Sequence, residues 1–280
     1  MSAPKIPNVL SIAGSDPSGG AGIQADLKTF AALGCYGMAA VTALTAQNTE
    51  RVLMIHLLPA DFVAAEIDAI FEDIDVHAVK IGVLGSAEIA RAVADRLKQS
   101  RAPIIVDPVL AATSGDALST PDLVSGLREY LFPLATLITP NLGEAASLAD
   151  HPVPADVQGM QRIAERLHAL GARAVLVKGG HLIGADATDV LFDGKAHRVF
   201  TGRRVGTTGD MHGTGCTLAS AIAAYLAKGL ALRDAIDAAK QYVSEALRAS
   251  GDLNVGHGAT PLNHLSHSAS ASTRGSSGLF

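Results

Sequence analysis

The chain has 280 residues, of which 48% are hydrophobic and 18% charged, and its formal net charge is −5 at pH 7. This composition excludes a disordered polar chain, and the lack of a basic field argues against nucleic-acid binding through phosphate neutralisation. The two cysteines, Cys35 and Cys216, exclude a disulfide framework and indicate a reducing compartment. The first residues lack the apolar segment of a signal peptide, and no apolar run reaches about 18 residues, so we expect a cytoplasmic protein without a membrane segment.

The first part of the chain alternates short apolar runs with longer amphipathic segments. In chain order, the pattern predicts a strand at Val9–Ala13, a helix at Ala21–Leu33, a strand at Met38–Leu44, a helix at Asp61–Phe71, a strand at His77–Ile81, a helix at Ser86–Lys98 and a strand at Pro103–Val106. Gly34 ends the first helix, and Asp61 and Ser86 are the predicted N-caps of the next two.

The second part continues the alternation. It predicts strands at Leu134–Ile138 and Ala174–Val177, helices at Ala155–Leu170, Gly213–Lys228 and Leu232–Leu247, and a hairpin around Asp193-Gly194 between Val190–Phe192 and His197–Phe200. This order predicts an α/β fold with a mostly parallel sheet covered on both faces. No linker or repeat interrupts it, so residues 1–264 are predicted to form a single domain. Residues 265–280, rich in Ser, Ala and Gly, are predicted to be a disordered tail.

Polar and glycine-rich segments follow the predicted strands, where ligands bind in parallel α/β sheets. The first, Gly14–Gly22, leads from a strand into a helix, and its glycines would let the backbone approach an anionic ligand at the helix N-terminus. It contains Gly20-x-Gly22-x-x-Ala25, a weak match to a dinucleotide fingerprint that lacks the acidic residue expected about twenty positions later. A tight structural turn explains the loop equally well.

Gln47 lies in the polar segment Thr45–Thr49, at the end of the second predicted strand. Its amide carries both a hydrogen-bond donor and an acceptor. The edge of an aminopyrimidine also offers one of each, so the two could pair. From residue type alone, a solvated loop glutamine is the commoner interpretation.

Three charged residues follow later strands. Asp107 and Glu144 could together hold Mg²⁺, which commonly takes one or two carboxylates together with phosphates. Helix capping or a turn is the commoner explanation for either carboxylate. Lys178, followed by Gly179-Gly180, could meet a polyphosphate, although a surface lysine is the simpler reading.

The segment His212–Thr217 carries the most specific pattern and opens an alanine-rich helix. Its backbone N–H groups could converge into an anion hole, which suits a phosphoryl group in transfer. Cys216 at the helix start is expected to have a lowered pKa and to accept a proton or a hydrogen bond. A small buried cysteine that closes a glycine turn is an equal alternative.

Eight motifs follow one another along the chain: Ser11–Lys28, Thr42–Thr49, Lys80-Ile81-Gly82, Asp107-Pro108-Val109, Thr139-Pro140-Asn141 with Glu144, Val177–His181, His212–Thr217 and Val255-Gly256-His257. In this order they resemble the hydroxymethylpyrimidine/phosphomethylpyrimidine kinases of thiamin biosynthesis, in the ribokinase-like superfamily. The resemblance runs from about Val9 to His264. It implies a ribokinase-like three-layer α/β/α fold with a mostly parallel central sheet, and the use of ATP and Mg²⁺. It further implies phosphorylation of 4-amino-5-hydroxymethyl-2-methylpyrimidine and then of its monophosphate to the pyrophosphate.

The resemblance also implies roles for individual residues. The pyrimidine pocket would include Gly14, Asp26, Gln47 and Val83. The ATP phosphates would be met by Asn141, Lys178, Gly180 and Thr207, with Asp107 and Glu144 as metal candidates. The anion hole would be Gly213, Thr214, Gly215 and Cys216, with Cys216 as the candidate catalytic residue where ribokinases have an aspartate. The family is commonly dimeric, so a homodimer is expected.

Four residues, at three sites, depart from the family pattern. Val83 stands where Met is frequent, Thr113 where Lys is frequent, and Asp210-Met211 where Asn-Thr is frequent. These departures leave the metal dependence and the relative rates of the two phosphorylations open. Alternative functions are a pyridoxal/pyridoxine kinase, a non-catalytic metabolite-binding module and, from the dinucleotide fingerprint, an oxidoreductase.

Overall fold

The computed structural model describes residues 6–112, 115–116, 118–180, 186–203 and 211–266. The strands in this part of the chain are β1 (Asn8–Ser15), β2 (Tyr36–Gln47), β3 (Val52–Leu57), β4 (Ala78–Ile81), β5 (Ile104–Val106), β6 (Leu137–Ile138), β7 (Val175–Lys178), β8 (Asp186–Phe192), β9 (His197–Arg203), β10 (Met211–His212) and β11 (Thr260–Pro261). The helices are α1 (Gly22–Ala32), α2 (Ala60–Asp73), α3 (Ala87–Leu97), α4 (Leu123–Gly126), α5 (Leu142–Ala149), α6 (Val157–Ala169), α7 (Thr214–Ala227) and α8 (Leu232–Arg248). A π-helical turn, Leu127–Leu131, continues α4, and a 3₁₀ turn, Ala249–Asp252, follows α8.

The described strands form one large sheet in the order β3-β2-β1-β4-β5-β6-β7-β8-β9, and β10 pairs with β11 separately. Strands β2, β1, β4, β5, β6 and β7 are parallel to one another. Strands β3 and β8 run antiparallel to them, and β9 pairs antiparallel with β8, so it runs in the direction of β7. The mostly parallel sheet and the β8–β9 hairpin are therefore confirmed.

Helices cover both faces of the sheet, as predicted. Side chains alternate along each strand, so that Leu10 packs in the core under α2–α6 and Val9 in the core under α1, α7 and α8. Buried aliphatic side chains such as these each contribute about 1.5–3 kcal/mol to folding. The result is the ribokinase-like three-layer α/β/α architecture.

Two local predictions differ from the structure. The N-cap of α2 is Pro59, and Asp61 lies in the first turn, where its Oδ1 accepts from the N–H of Phe62. The predicted strand Leu134–Ile138 shortens to β6 because the N–H groups of Leu134 and Ala135 bond back to Leu131, closing the preceding helical turn. The cap at Ser86 is confirmed, since its side chain accepts from the N–H of Ile89.

Strand β3 is absent from the sequence-based prediction. Its apolar run follows a turn in which Asn48 Oδ1 accepts from the N–H groups of Glu50 and Arg51, each at 3.0 Å. The strand exposes Leu53 and Met54 at the edge of the sheet, so it lacks the inward alternation that marks a strand with one buried face.

Because the central strands are parallel, the polar segments that follow them lie together at the carboxyl ends of the strands, which we call the carboxyl edge of the sheet. The segments after β1, β5, β6 and β7 all emerge at the carboxyl ends, and the N-terminus of α7 reaches the same edge, where Gly215 packs against Lys178. The division into a domain of residues 1–264 and a tail stays a prediction, and residues 267–280 lie outside the described part of the chain.

Candidate active site

Lys178 and Asp107 form an ion pair at the carboxyl edge of the sheet. Lys178 Nζ lies 2.7 Å from Asp107 Oδ1, and Thr139 Oγ1 donates to the same oxygen at 3.0 Å. The pair is nearly buried, with 13% of the Lys178 side chain and 1% of the Asp107 side chain exposed. Burial would lower the pKa of Lys178, but Asp107 and Glu144 raise it above its usual value, so the ammonium stays charged. A fixed cation at this edge suits a polyphosphate.

Glu144 lies beside this pair, in the first turn of α5. It forms a capping box with Asn141: Glu144 Oε2 accepts from Asn141 N at 2.8 Å, and Asn141 Oδ1 accepts from Glu144 N at 2.9 Å. Burial raises the pKa of Glu144 to about 7, with Lys178 lowering it and Asp107 raising it. The capping interpretation is thus confirmed for Glu144. Its proposed metal contact and the ATP contact of Asn141 stay predictions.

The N-terminus of α7 packs against the first glycine-rich loop and against the ion pair. Gly213 has a φ of +83°, and a Cβ there would lie 1.8 Å from Gly20 O, so only glycine fits. A Cβ on Gly215 would lie 3.0 Å from Lys178 Nζ and 3.5 Å from Asp107 Oδ2. The first-turn N–H groups of α7, which have no acceptor within the helix, therefore lie next to an ammonium. This arrangement has the electrostatic character of an anion hole.

Cys216, in the first turn of α7, has a thiol that favours its neutral form. Burial raises the pKa of Cys216 to about 11, while Lys80 lowers it and Asp26 and Asp107 raise it further. The expected lowering of this pKa is therefore wrong, because removal of the sulfur from water outweighs the stabilisation of a thiolate by Lys80 and the Gly22 backbone.

Asp26 and Lys80 form a fully buried ion pair under α7. Lys80 Nζ lies 2.9 Å from Asp26 Oδ1 and 2.8 Å from Oδ2, and the hydroxyls of Ser11 and Ser220 each donate to the carboxylate at 2.6 Å. Neither charged side chain is exposed. The acceptors of Asp26 are thus occupied by protein groups, and the arrangement does not support the prediction that Asp26 contacts the pyrimidine directly. Asp26 instead ties α1, β1, β4 and α7 together beneath the site.

The predicted pyrimidine residues lie where β1, β2 and β4 end. A Cβ on Gly14 would lie 3.5 Å from Val83 Cβ and 3.6 Å from Ala43 Cβ, so the strand ends pack closely. Gln47, near the end of β2, has its amide oxygen 3.2 Å from Thr45 Oγ1 and its amide nitrogen 3.4 Å from His212 Nε2. The structure therefore brings Gln47 to the segment that precedes α7, although binding by Gly14, Gln47 and Val83 stays a prediction.

Asp16 and His212 join the first loop to the segment before α7. Their carboxylate Oδ2 and imidazole Nε2 lie 2.8 Å apart, and both side chains are buried. A Cβ on Gly20 would lie 2.3 Å from His212 Cδ2, so glycine is needed for the imidazole to reach Asp16. Each residue stands out in the sequence only as a member of its own segment, because a pairing across 196 positions leaves no local signal.

Some residues singled out by the sequence lie outside the described part of the chain, namely Thr113, His181, Thr207 and Asp210. Gly180 is described and exposed.

Lys80 stands out in the sequence only as part of a short motif. Its signal was a lysine inside an otherwise apolar strand, Ala78–Ile81, where all four residues are buried.

Comparison with known proteins agrees with the fold and the arrangement of these segments. Residues 16–263 match the model of the phosphomethylpyrimidine kinase family. A hydroxymethylpyrimidine/phosphomethylpyrimidine kinase of Rhizobium meliloti is 52% identical over 256 residues, which cover 91% of this chain and 96% of that protein.

Two solved structures are also similar. An ADP complex of Bacillus subtilis pyridoxal kinase gives a TM-score of 0.85 at 36% identity, covering 95% of this chain and 100% of that one. A phosphomethylpyrimidine kinase of Clostridium difficile gives a TM-score of 0.76 at 43% identity, covering 86% of this chain and 99% of that one. The fold and the site thus define an α/β enzyme of the ribokinase-like class. Within that class, the chain belongs to the phosphomethylpyrimidine kinase family.

Proposed function

We propose that this protein transfers the γ-phosphoryl group of ATP to 4-amino-5-hydroxymethyl-2-methylpyrimidine, and then phosphorylates the monophosphate to the pyrophosphate, in thiamin diphosphate biosynthesis. The observation that carries the proposal is the contact of Gly215 with the Lys178–Asp107 pair, where a Cβ would meet Lys178 Nζ at 3.0 Å. Helix N–H groups and a fixed ammonium converge there, as phosphoryl transfer requires. Membership of the family and the 52% identity to the Rhizobium kinase point to the pyrimidine as acceptor.

The chemistry requires positioning and charge stabilisation more than a strong base. The hydroxymethyl oxygen attacks the γ-phosphorus, the bond to the bridging oxygen of ATP breaks, and ADP leaves with its electron pair. The N–H groups of Gly213–Cys216 and the Lys178 ammonium stabilise the negative charge that spreads over the transferred group. Because the pKa of Cys216 is raised to about 11, its sulfur serves as a hydrogen-bond partner of the hydroxyl rather than as a preformed thiolate. The hydroxyl proton leaves late in such a loose transition state and passes to an oxygen of the transferred phosphoryl group.

Asn141, Gly180 and Thr207 are proposed as further ATP contacts, with Gly14, Gln47 and Val83 around the pyrimidine. The Gln47 amide offers both a donor and an acceptor, which matches the amino group and ring nitrogen of the aminopyrimidine edge. Gly14 lies against Val83 and Ala43, since a Cβ at position 14 would meet both side chains at ordinary contact distances, and this places Gly14 beside the proposed ring contact Val83.

Mg²⁺ is proposed to be held by Asp107 and Glu144. The residues fit the metal, because the two carboxylates are close enough to interact: burial raises the pKa of Glu144 to about 7, and the Asp107 charge adds to that rise. Two carboxylates plus phosphate oxygens are an ordinary Mg²⁺ environment. When bound, the metal would neutralise charge on the phosphates. Among the described residues, no group of three or more His, Cys, Asp or Glu side chains could hold a metal ion.

A pyridoxal kinase is the second candidate, because the Bacillus subtilis pyridoxal kinase superimposes with a TM-score of 0.85. Pyridoxal carries a hydroxymethyl group but no amino group beside it, so the Gln47 contact distinguishes the two acceptors. A non-catalytic module would be expected to lose the glycines of the anion hole, and Gly213 and Gly215 are present.

We also propose that the protein works as a cytoplasmic homodimer. Large apolar side chains are exposed on β2 and on the outer strand β3, namely Leu44 (48%), Leu53 (61%) and Met54 (68%). An exposed apolar edge strand is a site where another chain can associate. None of the described helices combines the length and the apolar character needed to cross a bilayer.

ADP release tests the function. The purified protein is given ATP and Mg²⁺ with the hydroxymethylpyrimidine, with its monophosphate, or with pyridoxal. Turnover of both pyrimidines and little turnover of pyridoxal supports the two-step kinase. Turnover of pyridoxal alone would replace it with the second candidate, and pyrimidine binding without turnover would indicate a binding module.

A further inference from the structure

The Gln47 amide lies between two side chains whose hydrogens decide which way it faces. Its nitrogen is 3.4 Å from His212 Nε2, and its oxygen is 3.2 Å from Thr45 Oγ1. An amide can exchange its oxygen and nitrogen by half a turn about the Cγ–Cδ bond, and the neighbours select the orientation through their own donors and acceptors.

Asp16 fixes the hydrogen of His212. Its Oδ1 accepts from the N–H and the hydroxyl of Ser18 at 2.9 and 2.7 Å, and its Oδ2 accepts from the N–H of Ala21 and from His212 Nε2, both at 2.8 Å. Burial would raise the pKa of Asp16, but the hydrogen bonds from His212, Ser18 and Ala21 lower it to about 2. An ionised carboxylate only accepts, so His212 Nε2 carries a hydrogen that points to Asp16. That nitrogen has no lone pair left for a donor from Gln47.

Thr45, on the other side of the amide, favours the same orientation of Gln47. A hydroxyl has one hydrogen, and Thr45 Oγ1 lies 3.0 Å from the carbonyl oxygen of Ser15, which can only accept. With its hydrogen given to Ser15, Thr45 offers Gln47 a lone pair. The mismatch is removed when Gln47 turns its oxygen toward the His212 Nε2–H, which the oxygen can share with Asp16, and its nitrogen toward the lone pair of Thr45.

We propose that Asp16 and His212 are positioning residues that set the orientation of the Gln47 amide, and through it the direction in which the aminopyrimidine lies in the site. This inference rests on the proposed function. It assigns the selection of the acceptor to a buried pair that does not need to touch the ring.

The orientation matters because of the order of groups around the ring. The ring nitrogen, the 4-amino group and the 5-hydroxymethyl group follow one another, so the amino group lies between the other two. If the amino group donates to the Gln47 oxygen on the His212 side and the ring nitrogen accepts from the amide nitrogen on the Thr45 side, the hydroxymethyl group extends beyond His212. Residues Gly213–Cys216, the proposed anion hole, follow His212 directly in the chain. The opposite amide orientation would turn the hydroxymethyl group away from them.

The substitution Asp16→Asn tests the proposal, because an asparagine amide can donate to His212 Nε2 and select the other tautomer. We expect kcat/KM for the hydroxymethylpyrimidine to fall about tenfold to hundredfold, mostly in kcat because the ring binds in the unproductive direction. For pyridoxal, which lacks the amino group, the fall should be less than about threefold. The matched control, Ser18→Ala, removes a hydrogen bond to Oδ1 but leaves the Oδ2–His212 contact, and it should keep the wild-type ratio of the two acceptors.

A double-mutant cycle shows whether Asp16 acts through Gln47. In a Gln47→Ala background, Asp16→Asn should leave the ratio of the two acceptors unchanged. An equal loss for both acceptors in Asp16→Asn, or the same change in ratio with and without Gln47, would overturn the proposal. If the wild-type protein does not phosphorylate the pyrimidine, the proposed function fails instead, so the two failures are distinguishable.

A measurement on the unmodified protein does not depend on folding of the variants. Nitrogen-15 NMR of histidine-labelled protein, with the His212 signal assigned by its loss in His212→Gln, reports which ring nitrogen carries hydrogen. We expect a protonated Nε2 at neutral pH. An unprotonated Nε2 would overturn the proposal directly.

Discussion

The ammonium of Lys80 lies 2.8 Å from Asp26 Oδ2, and neither side chain reaches solvent. Burial would lower the pKa of Lys80, but Asp26, Cys216 and Asp107 raise it above its usual value, so the pair is ionic. Because Ser220 of α7 also donates to Asp26 at 2.6 Å, the pair anchors the helix that carries the proposed anion hole. The pair therefore contributes both to the stability of the fold and to the position of the proposed anion hole.

Removing one partner of this pair should destabilise the fold strongly. Lys80→Met leaves the Asp26 charge buried without its counter-ion, and such losses amount to about 3–5 kcal/mol. Urea unfolding followed by circular dichroism measures the change. Lys98→Met, in an exposed pair with Asp95, is the control and should leave the midpoint unchanged. A Lys80→Met protein within about 1 kcal/mol of the wild type would show that Asp26 is neutral or hydrated.

Cys216 should react slowly with alkylating agents at neutral pH. Only the thiolate reacts, and a pKa of about 11 leaves little thiolate below that pH. We expect the rate of iodoacetamide modification, followed at the Cys216 peptide by mass spectrometry, to rise about tenfold per pH unit between about pH 8 and 10. A rate that levels off near pH 7 would show a stabilised thiolate.

The substitution Cys216→Ala should keep pyrimidine binding and lose most turnover. Near-full turnover in this variant would remove Cys216 from the mechanism.

Features that depend on residues close together in the chain could be predicted from the sequence, and features that depend on distant residues could not. Local signals suffice for Ser86, whose side chain caps α3 three residues on, and for the hairpin at Asp193-Gly194. The carboxyl-edge segments were also predictable, because parallel strands must end on one side of the sheet. Strand β3 was missed because its exposed apolar residues do not alternate inward.

Electrostatic states were the least predictable part of the site. The helix start suggested a lowered pKa for Cys216, but the sign depends on burial, which no local pattern shows. The partners of Asp26 come from β1, β4 and α7, so its place beneath the site could not be read from its own segment. The Asp16–His212 contact is likewise decided by tertiary packing.

Lys178 should be needed for ATP use, and its loss should also weaken the fold, because Asp107 would stay buried without its counter-ion. In Lys178→Met the first turn of α7 loses its neighbouring ammonium, and kcat/KM for ATP should fall about 10²–10³-fold. Steady-state kinetics with varied ATP measure the loss. Lys228→Met, an exposed residue at the other end of α7, should behave as the wild type. An unchanged kcat/KM in Lys178→Met would place the phosphates elsewhere.

Gln47→Glu should separate the two acceptor classes. A carboxylate accepts but cannot donate, so the ring nitrogen of the aminopyrimidine loses its partner and faces a negative charge. We expect kcat/KM for the hydroxymethylpyrimidine to fall about 10²-fold or more, and the value for pyridoxal to change far less. The assay uses both acceptors with one enzyme preparation. Equal losses would favour the pyridoxal kinase.

The exposed edge of the sheet should mediate self-association. Met54 is 68% exposed on β3, and a lysine there would place a charge in an apolar interface while leaving the monomer core untouched. Sedimentation equilibrium should give a dimer mass for the wild type and a monomer mass for Met54→Lys at the same concentration. Val153→Lys changes a residue that is 59% exposed outside this edge, and it should stay dimeric. If Met54→Lys remains a dimer while Val153→Lys does not, the interface lies near the start of α6 and the β3 edge is free of it.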